Sequence, residues 1–125
     1  MATLRTDSDF ERVFSAKNRF FREGLGFHYR IADHSDFRFG LVVPKRFGGA
    51  VERNKFRRRV RELIRRNSRL PSGVEIIVYI YKPLKDIGFN LINQTLGWAI
   101  DRVRRSSGQI RQSNTGKTSM GVNNV

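Results

Sequence analysis

The chain has 125 residues, with 25 Lys and Arg against 11 Asp and Glu, for a net charge of +14 at neutral pH. That length suits one domain, and a composition of 38% hydrophobic residues with ten Phe supports a packed core, which excludes a wholly disordered basic tail. With no cysteine, disulfides, thiolate metal sites and cysteine nucleophiles are excluded.

No apolar run approaches the roughly 18 residues of a membrane span. The first residues lack the apolar stretch of a signal peptide, so a cytoplasmic location is expected. The excess positive charge attracts polyanions through counterion release, and nucleic acid is the leading candidate, ahead of an anionic membrane surface.

Phe10, Val13 and Phe14 recur at i, i+3 and i+4, and Ser8 with Glu11 has capping-box spacing, which predicts a helix over residues 7–15. Residues 16–26 read as a loop or a short edge strand near 18–23, with Gly24 and Gly26 opposing a long helix. Phe27, Tyr29 and Ile31 alternate with polar residues, and Phe37, Phe39, Leu41 and Val43 do so again after Asp33–Asp36. The two runs predict an antiparallel hairpin.

Pro44 ends the second strand. Ala50 to about Asn67 lacks Gly and Pro and predicts a long helix. Val74 to Tyr81, β-branched and aromatic almost throughout, predicts an inner strand. From Asp86 to about Arg105, Ile87, Leu91, Ile92, Leu96, Ala99, Ile100 and Val103 keep helical spacing, with Trp98 near the seam. The order is α-β-β-α-β-α, an α+β sandwich in one domain over residues 1–106. The Ser-, Asn- and Gly-rich residues 107–125 are expected to form a disordered tail.

Between Pro44 and Arg69 stand eleven basic residues against Glu52 and Glu62, so nine of the fourteen net charges fall within 26 residues. On a helical projection Phe56, Val60, Leu63 and Ile64 share an arc of about 100°, and the rest of the surface is cationic. A merely solvated face interleaves both signs to avoid repulsion at i, i+4; this one does not, which points to a polyanion site. Arginine outnumbers lysine, and its planar fork suits phosphate and base stacking, favouring RNA or DNA over lipid. Phe10 and Phe14, with Phe27 or Tyr29 on the sheet, are candidates for a floor on which unpaired bases stack, against the plain alternative that these rings are core.

The run from Phe47 to Glu62, FGGAVERNKFRRRVRE, preceded by Gly40–Arg46, GLVVPKR, resembles the signature of the bacterial ribonuclease P protein component. The start around Asp9-Phe10 and Val13-Phe14, the strand after the motif and the last helix are similar to that family too, over about residues 4–105. The resemblance implies a protein that assists a catalytic RNA subunit in removing the 5′ leader of precursor tRNA, with Mg²⁺ bound mainly by the RNA and none by the protein alone. It implies that Lys45, Arg46, Arg53, Asn54, Lys55, Arg57, Arg58, Arg61 and Arg65 bind RNA. The family's leader cleft, between the first helix and the sheet, would have Phe10 and Phe14 on its wall, with Phe27 and Tyr29 as further contacts. Lys55 stands where the family's box has Arg, and Pro44 where a small polar residue is usual. The family fold further implies a left-handed crossover from the Leu41–Val43 strand through the basic helix to the Val74–Tyr81 strand, against the general right-handed rule.

A two-metal nuclease needs several converging carboxylates, and the eleven acids are scattered without metal-ligand spacing. His28 and His34 show no evident partner, and Gly116-Lys117-Thr118 lacks the first glycine of a phosphate-binding loop, Arg111 standing there. No protein catalytic residue, membrane or protein partner is expected. The alternative is a ribosomal or other structured-RNA binder without a processing role. A helix-turn-helix DNA binder is disfavoured because strands flank the basic helix.

Overall fold

The computed structural model describes residues 2–114. Five strands, β1 (Ala2–Thr3), β2 (Asn18–Arg22), β3 (Leu25–Ile31), β4 (Phe37–Val42) and β5 (Val74–Ile80), form one sheet in the order β1-β4-β5-β3-β2. Three helices cover it: α1 (Asp7–Ser15), α2 (Ala50–Arg66) and α3 (Phe89–Asn114). Single 3₁₀ turns at Lys45–Phe47 and Leu84–Asp86 lead into α2 and α3.

The α+β class and the order of the main elements follow the sequence reading, but the pairing does not. β3 and β4 are not a hairpin: β5 lies between them, antiparallel to β3 and parallel to β4. β5 is buried on both faces and apolar but for Glu75 and Tyr79, so it gains most from two neighbours. The 32–36 connection instead grips the entry to β5: Ala32 N–H donates to the Gly73 carbonyl and Gly73 N–H to that of Asp36, both at 2.8 Å. Gly73 has φ +73°, and a Cβ there would lie 2.8 Å from the His34 carbonyl oxygen, so this close passage needs glycine.

The hairpin of this sheet is β2–β3, with Phe20 opposite Phe27 and Phe21 opposite Gly26. Its two-residue turn, Glu23-Gly24, has φ of +54° and +82°, the double positive φ of a type I′ connection. The short strand expected near 18–23 is therefore present. β1 adds a parallel edge strand on β4 that has no counterpart in the sequence reading.

Successive strand residues separate onto two faces. Phe20, Leu25, Phe27, Tyr29, Phe37, Phe39, Val74, Ile76, Val78 and Ile80 pack under α2 and α3 with Phe56, Val60, Ile64, Ile92, Leu96 and Ile100. On the other face α1 lays Val13 and Phe10 on Leu4, Ile77 and Val42. Helix α1 starts as expected but is capped by Thr6, not Ser8. Asp9 N–H donates to Thr6 Oγ1 at 3.1 Å, and Asp9 Oδ2 accepts from the Arg5 and Thr6 N–H groups at 3.1 and 3.2 Å. Those bonds hold the Asp9 carboxyl down at about 2. Capping two residues earlier also brings Asp7 into the first turn, where the helix dipole favours it.

Helix α3 runs on to Asn114 rather than ending near Arg105, taking in residues 107–114 that composition assigned to a disordered tail. Ser106 and Ser107 are buried, so packing extends past the expected helix end at least that far. The rest of that expected tail, 115–125, lies outside the described residues.

Candidate nucleic-acid interface

Two surfaces on opposite faces of the sheet carry the candidate residues. The first is α2 and the turn before it. Glu52 Oε1 accepts the Gly49 N–H at 2.9 Å and starts the helix, while Phe56, Val60 and Ile64 anchor it to the sheet. Lys45, Arg46, Asn54, Lys55, Arg58, Arg61 and Arg65 are exposed, and Arg53 and Arg57 half-buried.

These groups are not equally free. Arg53 Nε donates to the Gly48 carbonyl at 3.1 Å, locking the helix onto the glycine joint. Arg57 leans on Asn54 Oδ1 at 3.4 Å, Arg65 is paired with Glu62 at 2.8 Å, and Arg46 lies 4.5 Å over the Phe47 ring. Lys55, Arg58 and Arg61 make none of the ion pairs of the described residues, so their charge projects into solvent undiminished.

The second surface is an aromatic cleft under α1. Phe14, on the last turn of α1 and 36% exposed, meets the His28 ring edge-on at 4.9 Å. Phe21 of β2 approaches His28 at 6.2 Å and Tyr81 at 5.4 Å, and Tyr79 stacks on Tyr81 at 4.7 Å. The Tyr81 and Phe21 rings lie directly over Gly26, where a Cβ would come within 2.5 Å of Tyr81 Cε2 and 2.8 Å of Phe21 Cε1, so glycine is what admits both rings. Gly40 likewise admits Phe10, whose Cζ would meet a Cβ at 2.6 Å. Burial, then the nearby Arg19 charge, pushes the His28 pKa below 6.5, while burial and Tyr79 push Tyr81 above 10. Both shifts favour the neutral ring; His28 is buried among its aromatic neighbours, and Tyr81 is exposed.

Phe27 and Tyr29 are not on this wall. They lie on the opposite face, at 0% and 7% exposure, in the core under α3. The sequence reading placed the first helix over the wrong set of alternating β3 residues; the set facing α1 is Gly26, His28 and Arg30. Phe21, Tyr79 and Tyr81 were missed, although Phe20-Phe21 in one strand must send one ring to each face, and Tyr79 and Tyr81 alternate with core residues, Tyr79 opposite Gly26 and Tyr81 N–H donating to the Gly24 carbonyl.

The histidine without an evident partner has one. Glu75, 1% exposed, accepts from Arg30 Nη1 at 2.9 Å and sits 2.8 Å from His34 Nε2, with Arg38 Nη1 at 3.6 Å. This carboxylate is consumed by basic groups. Among the described residues no cluster of three or more His, Cys, Asp or Glu converges as metal ligands.

A basic helix thus lies on one face of the sheet and a group of exposed aromatic rings, Phe14, Phe21 and Tyr81, on the other. The family model for ribonuclease P matches residues 1–104. The chain belongs to the ribonuclease P protein family. Among its relatives, the ribonuclease P protein component of Syntrophobacter fumaroxidans is 37% identical over 81 residues, 64% of this chain and 68% of that protein. That of Thermotoga maritima is 39% identical over 88 residues, 66% and 72% of the two chains. The solved ribonuclease P protein of T. maritima superposes with a TM-score of 0.72 at 31% identity, covering 80% of this chain and 96% of that one. The Staphylococcus aureus protein gives 0.71 at 25% identity, covering 81% and 93%. As a member of this family, the chain is an RNA-binding subunit of the ribonucleoprotein that removes 5′ leaders in tRNA maturation. Among the described residues no helix is long and apolar enough to cross a membrane.

Proposed function

We propose that this ribonuclease P protein binds its two RNA partners on separate surfaces. The 5′ leader of precursor tRNA lies in the cleft under α1, its unpaired bases stacked on Phe14, Phe21 and Tyr81, with Phe10 closing the inner end. The catalytic RNA subunit is met by α2 and the turn before it, through Lys45, Arg46, Asn54, Lys55, Arg58 and Arg61, with Arg53 and Arg57 shaping that face and Arg65 contributing less because Glu62 neutralises it.

The observation that carries this reading is the set of exposed rings beside α1, Phe14, Phe21 and Tyr81, with the cation Arg19 close to His28 and Tyr81, the combination that binds single strands with little sequence preference. Bond cleavage and its Mg²⁺ belong to the RNA subunit, in the cytoplasm where tRNA matures. The protein strengthens binding of precursor over mature tRNA and, by neutralising phosphates where RNA strands converge, lowers the Mg²⁺ requirement.

The test is precursor tRNA cleavage by the cognate RNA subunit at limiting Mg²⁺, with and without the protein, on a long-leader and a nearly leaderless substrate. Stimulation confined to the long-leader substrate is expected. Equal stimulation of both substrates refutes the leader assignment, and no stimulation by folded protein refutes the accessory role.

A further inference from the structure

A third feature lies apart from the aromatic cleft, where α2 meets the turn before α3. Here a cavity of about 200 Å³ has an apolar floor of Phe56, Leu84, Ile87 and Ile92 and a rim of Lys55, Arg59, Lys85 and Glu52. That volume is below the roughly 300–1,000 Å³ of sites for drug-sized ligands and suits a single planar ring system.

The rim is selective in charge. Glu52 is already engaged by the Gly49 N–H at 2.9 Å, and none of the three cations takes part in the ion pairs of the described residues. Lys55 and Arg59, at i and i+4, repel each other along one helix face, a local cost that structure alone does not require. Lys85 comes from a different element, so the positive rim is not simply a by-product of the basic helix. Arg59, which lines the cavity, is held 4.9 Å over the Phe89 ring.

An apolar pocket of this size, whose lip carries three cations against the single Glu52 carboxylate, matches a ligand that is flat and apolar at one end and anionic at the other. We infer that this cavity takes one unstacked nucleotide of a bound RNA strand, the base on Phe56, Ile87 and Ile92 and its phosphate against Lys55, Arg59 and Lys85. Unpaired bases splayed from a strand are the usual targets of such protein pockets. The inference rests on the reading of the chain as an RNA-binding subunit, and adds a base-accepting site to a face otherwise assigned only phosphate contacts.

The test titrates the full chain, with ¹³C-labelled Leu and Ile methyls, with uridine or adenosine 5′-monophosphate, and separately with inorganic phosphate. Saturable shifts of the Leu84, Ile87 and Ile92 methyls with a mononucleotide but not with phosphate are expected. Lys85→Ala should weaken that binding about tenfold, the loss of one charge-assisted hydrogen bond, while leaving the remaining methyl spectrum unchanged. Stoichiometric RNA subunit should displace the mononucleotide. Unmoved methyls, equal shifts with phosphate, full binding by Lys85→Ala, or a mononucleotide that stays bound beside the RNA each overturn the proposal. Cleavage stimulation by the same preparation reports separately on the RNA-subunit role, so a failed pocket is told apart from a failed function.

Discussion

Replacing Phe21 by Ala separates the cleft from the core. The Phe21 ring is 56% exposed and its intramolecular partners are the rings of Tyr81 and His28, at 5.4 and 6.2 Å. Aromatic pairs of this kind contribute about 0.5–1.5 kcal/mol beyond burial, and exposure trims that, so a stability loss of about 1 kcal/mol is expected. Stacking of a nucleic-acid base on such a ring contributes about 1–3 kcal/mol, equivalent to a loss of roughly 5–150-fold in affinity. Affinity of the reconstituted ribonucleoprotein for precursor and mature tRNA, measured by fluorescence anisotropy, should show that loss only for the precursor. Phe27→Ala is the counterpart: fully buried under α3, it should cost about 3–5 kcal/mol of stability. Any precursor defect it shows should vanish under conditions where the variant is folded. If Phe21→Ala leaves the precursor-over-mature ratio unchanged while Phe27→Ala lowers it in a folded protein, the assignment of faces is wrong.

Other consequences follow from individual groups. Replacing both Arg58 and Arg61 by Ala should weaken RNA binding and flatten its dependence on log salt by about 1.4 for single-strand phosphates, whereas Arg65→Ala, already paired with Glu62, should change that slope less; equal slopes for wild type and the double variant would contradict the assignment. Glu75→Gln strips the charge that holds Arg30, Arg38 and His34, and should destabilise by about 3 kcal/mol, seen as a lower urea midpoint; an unchanged midpoint would show the cluster to be dispensable. Because the Asp9 carboxyl is depressed to about 2, the unfolded chain takes up that proton first as pH falls. The Asp9 contribution is therefore intact above about pH 4 and lost as pH drops toward 2, and Asp9→Asn should flatten the stability profile there. His28, also depressed, should withdraw stability as pH falls below 6.5 and titrate below that value by NMR; a midpoint at or above 6.5 would contradict its burial.

Much of this molecule was legible from local pattern. The stripe of Phe56, Val60 and Ile64 in a cationic helix, the apolar run of β5 and the alternation of β3 and β4 each specify an element and the face it buries, because periodicity is a property of neighbouring residues. The same holds for the charge concentration on α2, which marks a polyanion surface wherever that helix is placed. The family signature then limited what the polyanion is.

Pairing and facing are different in kind. That β5 separates β3 from β4 depends on comparing the gain of every strand from every neighbour, and only the assembled sheet makes that comparison. Which alternating set of β3 lies under α1 was likewise decided at a distance: Gly26 and Gly40 leave room on one face for Phe10, Phe21 and Tyr81, while Phe27 and Tyr29 fill the other against α3. The sequence by itself determined that this protein folds around apolar strands and concentrates its positive charge on one helix. Only the tertiary structure decided which aromatic rings are core and which stand open, since one residue of register moves every side chain of a strand to the opposite face.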